Sequence, residues 1–207
     1  MKKIILTVAA ILSFAAASQA QGWFRQPTPN DTLRSTVILP DNSVVFQIYA
    51  PNAQKVAVMG DLPWDKPAVF TKQDNGVWKG RLAKMDEGIY RYRFVVDGMN
   101  VYDPKAPDAG ETSALLTVAP KGDEFFAMKN VPHGAVAERF YWSDPLGTMR
   151  RLHVWTPAGY EKSTDTLPVL YLVHGGGDTD NSWPGVGAAG LILDNLMAEG
   201  KMKPMVV

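Results

Sequence analysis

The sequence predicts two fold classes in succession: an all-β sandwich, then the opening strand and helix of an α/β sheet. Short alternating apolar runs from about Asp41 to Val118 are separated by Pro, Gly, Asn and Asp, a pattern typical of sandwich strands. Residues Val169 to Val173 are uniformly apolar, like strands buried on both faces of an α/β sheet. Ala188 to Glu199 has helical periodicity and precedes Gly200, which suits a helix C-terminal cap.

Within the sandwich, side-chain alternation predicts the individual strands. Val44, Phe46 and Ile48 share one face of a strand, and another strand begins at Val77 after the turn Asp74-Asn75-Gly76. The clearest unit is a hairpin. Its first strand alternates from Tyr90 to Val96, and Asp97-Gly98 supplies the positive φ angles of a tight turn.

The second strand of that hairpin returns from Met99 to Tyr102. Residues 103–110 are predicted to be loop, and Leu115 to Val118 is predicted to be the closing strand of the sandwich. A second β pattern runs from Val136 to Trp155, and Lys203 to Val207 begins a further strand.

These patterns divide the chain into four segments. We expect a signal peptide at residues 1–20, a sandwich at 24–120, a linker at 121–134 and an α/β part at 135–207. A strand, a glycine loop, a helix and a nascent strand open a doubly wound sheet but do not close a core. The sequence therefore predicts that the α/β part is C-terminally truncated.

The N-terminal segment has the features of a secretory signal peptide. Lys2 and Lys3 precede an apolar run from Ile4 to Ala17, and Ser18-Gln19-Ala20 resembles a cleavage site. The alternative, a membrane anchor, is weaker because a bilayer span needs about 20 apolar residues. We therefore expect cleavage after Ala20 and export to the periplasm or beyond the cell.

Composition excludes several classes of partner and site. The 21 basic and 21 acidic residues balance, so there is no electrostatic reason to bind nucleic acid or acidic lipid. The chain contains no cysteine, so an exported form has neither disulfides nor a cysteine-based metal site.

The most informative motif is the strand that ends in His174-Gly175-Gly176-Gly177. In α/β-hydrolases, a glycine-rich loop after a strand places a backbone N–H beside the oxyanion of the tetrahedral intermediate. The alternative is a glycine-rich turn that simply ends a strand. Such an enzyme also needs a serine in Gly-x-Ser-x-Gly and then an acid and a histidine, yet that serine motif is missing from residues 1–207.

Taken together, the motifs resemble the esterase D-like carbohydrate esterases, which include bacterial feruloyl esterases and acetyl xylan esterases. The preceding part is similar to their immunoglobulin-like N-terminal module, which is related to carbohydrate-binding module family 48. The esterase-like motifs are Asn130-Val131-Pro132-His133-Gly134, Arg151 to Tyr160, Leu167 to Gly177, Trp183 and Leu191 to Met205; the module-like ones are Asp74 to Trp78, Gly88 to Gly98 and Tyr102-Asp103-Pro104.

The resemblance implies a serine esterase that releases acetate or a hydroxycinnamate such as ferulate from plant xylan or another glycan ester. It implies no metal and no organic cofactor. Gly176 would supply one oxyanion-hole amide, with Gly175 and Gly177 shaping the loop, while the serine, acid and histidine would lie beyond residue 207. Trp183 would wall the site or contact an acyl group, and packing under the loop is an equal alternative.

Four other features of the loop region are better explained without catalysis or cofactors. His174 precedes the expected serine, so it is interpreted as a loop-organising residue, and Ser182 is not on a strand-turn-helix elbow. Residues 185–190 match G-x-G-x-x-G, but no strand directly precedes them. Asp178 and Asp180 lack the glycine that a calcium loop requires and are interpreted as solvated acids.

Aromatic residues of the sandwich suggest where a sugar ring could stack. Trp64 lies beside Pro63 and Asp65 in a predicted loop, so it is the best candidate for an exposed glycan contact, whereas Tyr90 and Tyr92 are expected in the core. Two alternative functions stay open. One is an enterochelin-type esterase, and the other is a glycan-binding protein without catalytic activity.

Overall fold

The computed structural model describes residues 25–207, and the predicted signal peptide lies outside them. Nine strands between residues 36 and 118 form two antiparallel sheets that face each other. The first sheet contains β1 (Thr36–Ile38), β2 (Val44–Tyr49), β4 (Val69–Lys72) and β5 (Val77–Leu82). Its strand order is β1-β2-β5-β4.

The second sheet contains β3 (Val56–Gly60), β6 (Gly88–Val96), β7 (Met99–Val101), β8 (Asp108–Ala109) and β9 (Ala114–Val118). Its strand order is β3-β6-β9-β8, and β7 pairs with β6. The long central strand β6 forms antiparallel ladders with β3, β7 and β9. The predicted sandwich is confirmed.

Aromatic side chains from both sheets form the centre of the core. Phe46 of β2 and Tyr92 of β6 meet edge to face with ring centroids 5.2 Å apart, and Phe94 lies 6.0 Å from Tyr92. All three side chains are fully buried. Because burying a large apolar side chain stabilises the fold by about 1.5–3 kcal/mol, this cluster is a main reason that the two sheets stay together.

The hairpin predicted at Asp97-Gly98 is confirmed. Both turn residues have positive φ, 48° and 86°, as a two-residue turn matched to strand twist requires. The Asp97 carboxylate also accepts hydrogen bonds from the backbone N–H groups of Gln54 and Lys55, at 2.9 and 2.7 Å. The turn therefore holds the chain at the entrance to β3.

Sequence patterns missed three short strands, β1, β4 and β8. For β4, pairing depends on a distant neighbour: Phe70 packs over Gly80 of β5, where an added Cβ would lie 2.6 Å from the ring. β8 lies within the segment 103–110 that the sequence predicts to be loop, and its two residues pair with β9. Strands this short are determined by the strand they meet rather than by their own alternation.

The C-terminal part begins with a long hairpin and contains one α-helix among the residues that the structure describes. Strands β10 (Ala135–Ser143) and β11 (Thr148–Thr156) pair antiparallel along their full length. Helix α1 (Ala189–Ala198) is followed by Gly200 with φ of 65°, which confirms the predicted helix and its glycine cap. No helix between residues 25 and 207 has the length and apolar character needed to cross a bilayer.

The last residues confirm the opening of a doubly wound sheet. Val206 forms a parallel bridge with Val169, and the Leu170 N–H donates to the Val206 carbonyl at 2.8 Å. Val207 exchanges two backbone hydrogen bonds with Trp155 of β11. The segment at 206–207 therefore lies between β11 and residues 169–170, and the connection between the two parallel segments includes α1.

One expectation about this sheet is wrong. Residues Val169 to Val173 were expected to be buried on both faces, yet Tyr171 is 86% exposed and Val173 is 78% exposed. Beyond the contacts at Pro168 to Leu170, no backbone ladder continues this segment within residues 25–207. The apolar composition of this segment is typical of an internal strand. The described residues, however, provide a hydrogen-bonded neighbour on only one of its two edges.

A buried polar pair in the sandwich gives a stability prediction. The Tyr92 hydroxyl donates to the buried Asp103 carboxylate at 2.5 Å, and burial raises the pKa of Tyr92 so that the phenol keeps its proton. Tyr92→Phe leaves Asp103 buried with one donor fewer, which should lower the free energy of unfolding by about 2–3 kcal/mol in urea titrations. Tyr90→Phe is the matched control, because the Tyr90 hydroxyl bonds at an exposed position. Equal losses in both variants would contradict the prediction.

Candidate active-site loop

The glycine loop lies at the carboxyl end of the 169–173 segment, where α/β folds place their ligand sites. It is exposed from His174 to Gly177. The Asp178 N–H donates to the Gly175 carbonyl at 3.2 Å, which closes a tight turn. Gly177 has φ of 82°, a left-handed conformation that favours glycine, so its predicted role in loop shape has a physical basis here.

Gly176 lies at the middle of this turn and faces open space. Among residues 25–207, no heavy atom lies within 4 Å of the position that a Cβ would take at this residue. The described residues therefore leave this side of the Gly176 backbone open. The assignment of the Gly176 amide as an oxyanion donor stays a prediction.

His174 and Ser182 both make local contacts within the loop. The His174 Nδ1 lies 2.9 Å from the Gly175 carbonyl oxygen. The Ser182 hydroxyl accepts a hydrogen bond from the Thr179 N–H at 3.1 Å, and the Ser182 N–H donates back to the Thr179 carbonyl. These contacts are those of residues that shape a loop.

Trp183 both packs and remains partly exposed. Its indole N–H donates to the Val173 carbonyl at 3.1 Å. The ring rests on Gly187, where a Cβ would lie 2.7 Å from a ring carbon. The side chain is still 40% exposed, so one part of the indole is accessible beside the glycine loop.

Asp178 and Asp180 are ion-paired and partly buried, so their interpretation as solvated loop acids is wrong. Asp178 accepts a hydrogen bond from Arg91 Nη1 at 2.7 Å, and Asp180 accepts two from Arg151, at 2.7 and 3.0 Å. Hydrogen bonds from these arginines lower the pKa of each acid. The sequence could not show this, because Arg91 is 87 residues away from Asp178.

A cleft of about 180 Å³ separates the loop from the sandwich. Its lining carries hydrogen-bonding groups of several kinds, including Arg91, Glu111, Ser113 and Asn181. Gly177 also lines it, so the cleft opens beside the glycine turn. Such a surface offers both donors and acceptors to a polar ligand.

A buried acid on α1 ties three parts of the chain together. The Asp194 carboxylate accepts hydrogen bonds from His133 Nδ1, the Gly134 N–H and the Trp155 indole N–H, at 2.8, 2.8 and 3.1 Å. It is only 5% exposed. Sequence reasoning missed this cluster, although an acid inside the apolar run Leu191–Leu196 was a signal that could have indicated it.

The next residue, Asn195, holds the connector between the two parts. Its side-chain amide donates to the carbonyls of Phe125 and Ala127, both at 2.9 Å. Asn195 is 3% exposed. The segment after the sandwich is therefore docked on α1 by two hydrogen bonds from a buried side chain, one buried and one part-buried.

The contact between His133 and Asp194 predicts a pH dependence. The two ring nitrogens of His133 lie 2.8 Å from Asp194 and 3.0 Å from the Lys129 carbonyl, so only the imidazolium can donate to both. The hydrogen bond to Asp194 raises the pKa of His133 above 6.5. A raised pKa means that the stabilisation is complete below pH 6.5 and is lost as the pH rises through the folded-state value.

We therefore expect the urea midpoint to fall as the pH rises from 6.5 through the folded-state pKa of His133. NMR titration of the His133 ring should give that pKa, and His133→Gln should remove this part of the pH dependence. A ring that titrates at or below 6.5 would contradict the prediction.

The aromatic residues of the sandwich differ sharply in exposure. Trp64 is 90% exposed in the loop between β3 and β4, as expected. Tyr92 is fully buried, and Trp78 is 9% exposed with its indole N–H bonded to the Ala50 carbonyl. Trp64 is thus the one of these three side chains with an accessible ring face.

One family model and several curated proteins are similar to this chain. Residues 33–112 match the family carbohydrate-binding module 48 (isoamylase N-terminal domain). The chain is 36% identical over 171 residues to an endo-1,4-beta-xylanase/feruloyl esterase from Xylanibacter ruminicola, covering 78% of this chain and 24% of that protein. It is 29% identical over 137 residues to the 1,4-alpha-glucan branching enzyme GlgB from Paraburkholderia xenovorans, covering 63% of this chain and 16% of that protein.

Among solved structures, the chain shares its fold with the enterobactin esterase FES from Shigella flexneri. The TM-score is 0.56 at 15% identity, and the match covers 85% of this chain and 54% of that one. A second structure of that esterase matches with a TM-score of 0.53 over 79% of this chain and 50% of that one. The chain thus spans about a quarter of the curated xylanase/feruloyl esterase and about half of the enterobactin esterase.

Proposed function

Because the chain carries a carbohydrate-binding module 48 domain and is related to an esterase over most of its length, we propose that it forms the N-terminal part of a serine carbohydrate esterase. The proposed substrates are acetyl or feruloyl esters on plant polysaccharide such as xylan. The observation that carries the proposal is the exposed glycine turn around Gly176 at the carboxyl end of a sheet segment, beside the module.

In the proposed mechanism, the Gly176 N–H donates to the oxygen of the scissile carbonyl as it gains negative charge. Open space at Gly176 and the left-handed Gly177 support this role, because the carbonyl must come within hydrogen-bond distance of the backbone. The serine nucleophile, the histidine that accepts its proton and the acid that orients this histidine would lie outside residues 1–207. Without them, residues 1–207 should not hydrolyse esters.

Two surfaces support a glycan as the bound part of the substrate. The exposed ring of Trp64 provides a flat apolar face of the kind on which sugar rings stack. The cleft between the module and the loop presents hydroxyl, amide and charged groups that match the hydroxyls of a polysaccharide. We propose that glycan binding uses one or both, and that Trp183 contacts the acyl group.

We further propose that the protein is exported. The support is the sequence of residues 1–20, with its basic start, apolar run and small-residue cleavage site. Mass spectrometry of the exported protein should find Gln21 as its N-terminus, and an intact Met1 would contradict export by cleavage.

The deciding experiment is to read the gene past the Val207 codon and to assay the product. We expect a continuing frame with Gly-x-Ser-x-Gly followed by an acid and a histidine, and release of acetate or ferulate from xylan. Hydrolysis of enterobactin instead would favour the enterochelin-type alternative, whose support is the fold shared with FES. Glycan binding without turnover, and no downstream serine, would favour a non-catalytic glycan-binding protein.

A further inference from the structure

We propose that Arg91 of the sandwich is a positioning residue for the glycine loop, acting through Asp178. The inference rests on the proposed function, because it assigns the module a role in shaping the turn that would hold the oxyanion. The module would then contribute to turnover even on a small substrate that carries no sugar.

Contacts within the sandwich hold the Arg91 side chain in place independently of the loop. On β6, its Nε donates to Asp61 Oδ2 at 2.6 Å, and its Nη2 lies 3.4 Å from Asp61 Oδ1. The backbone of Asp61 is itself fixed, since its N–H donates to the Arg91 carbonyl at 2.9 Å. One side of the guanidinium is therefore occupied within the sandwich, and Nη1 is presented to Asp178 at 2.7 Å.

Asp178 is the residue through which this contact can fix the turn. It directly follows Gly177, and its own N–H closes the turn on the Gly175 carbonyl. Gly176 lies between the two ends of that hydrogen bond. Holding the Asp178 side chain therefore restrains the segment that contains Gly176, whose glycines otherwise have wide conformational freedom.

A second arginine restrains the loop two residues later. Arg151 of β11 binds Asp180 through Nε and Nη2, and it also forms ion pairs with Glu138 of β10 and with Glu111 of the sandwich. Exposed single ion pairs contribute little, but Arg91 is shared by two acids and Arg151 by three, and their side chains are 38% and 26% exposed. The sandwich thus contacts the loop directly through the ion pair between Arg91 and Asp178. It contacts Asp180 indirectly, because Arg151 pairs with both Glu111 and Asp180.

The first test is amide hydrogen exchange on the 207-residue chain, which requires no esterase activity. Arg91→Gln and Asp178→Asn should each speed the exchange of the peptide covering residues 177–183 by about 3- to 10-fold. The double variant should be no faster than either single variant, because both remove the same contact. Asp178→Asn leaves the Arg91–Asp61 pair intact, so it separates loop release from damage to the sandwich.

Arg93→Gln is the matched control. Arg93 lies two residues along the same strand, and its Nε donates to Asn100 within the sandwich. Its substitution should leave the exchange of residues 177–183 unchanged. If Arg91→Gln and Arg93→Gln give the same exchange in that peptide, the inference is overturned.

The second test uses the complete esterase from the extended reading frame with p-nitrophenyl acetate, which has no glycan part. Arg91→Gln should lower kcat about 10-fold and change KM less than about twofold, because a displaced donor affects the transition state more than binding. Unchanged kcat, with faster loop exchange, would overturn the positioning role. If the complete wild-type protein does not hydrolyse esters, the proposed function and the positioning role of Arg91 in catalysis are both overturned. The hydrogen-exchange result would still show whether the contact between Arg91 and Asp178 restrains the loop.

Discussion

In the complete esterase proposed above, Gly176→Pro is expected to lower kcat by about 10²- to 10³-fold, the usual cost of losing one oxyanion-hole donor. Proline has no backbone N–H, so the substitution removes the proposed donor without adding a charge or a long side chain. Initial rates on p-nitrophenyl acetate and on acetylated xylan measure the effect. KM should change much less than kcat, because the hydrogen bond strengthens as the oxyanion forms.

Alanine at the same position is the control. Gly176→Ala keeps the N–H, and its Cβ would meet no heavy atom of the described residues within 4 Å, so the loop should tolerate it. Gly177→Ala tests loop shape instead, since φ of 82° is strained for alanine. Turnover by Gly176→Pro equal to that of Gly176→Ala, in a folded protein, would exclude Gly176 as a donor.

Asp194→Ala is expected to be the most destabilising substitution in the C-terminal part, with a loss of about 3–5 kcal/mol in the free energy of unfolding. Asp194 receives hydrogen bonds from a histidine ring, a backbone amide and an indole, and alanine leaves all three donors without their acceptor. The Gly134 amide and the Trp155 indole are the most costly to leave unpaired, because the site is buried. Urea unfolding followed by tryptophan fluorescence measures the loss.

Asp165→Ala provides the comparison. Asp165 is an exposed acid whose side chain bonds to the nearby Ser163, so its loss should change stability by less than about 0.5 kcal/mol. Asp194→Asn should fall between the two, since an amide oxygen in the position of Oδ1 can still accept from both Gly134 and Trp155. If Asp194→Ala and Asp165→Ala have the same midpoint, the buried cluster does not stabilise this part.

The features predicted best from the sequence are those whose cause is local. The Asp97-Gly98 hairpin depends on two residues that tolerate positive φ, and the burial of Phe46 depends on strict alternation along one strand. The cap at Gly200 follows the same logic. In each case the physical cause lies in a few adjacent residues, so the sequence alone is enough to predict the feature.

The features that the sequence did not reveal depend on partners far away in the chain. Nothing near Asp178 indicates Arg91, and nothing near Asp194 indicates that Gly134 and Trp155 will supply donors. The apolar run at 169–173 was interpreted by composition alone, which says what a strand prefers but not which neighbours are present. Long-range pairing of polar groups has no periodicity that a sequence pattern can display.

The docking of the connector on α1 has a consequence for domain recombination. A module joined by a loose tether can be exchanged by cutting anywhere in that tether. Here the carbonyls of Phe125 and Ala127 accept hydrogen bonds from Asn195 of α1, so a chimera that cuts before Phe125 leaves these docking contacts behind. Any transplant of this sandwich that preserves its orientation should carry residues 124–134 with it, together with an amide side chain at the position of Asn195 in the recipient.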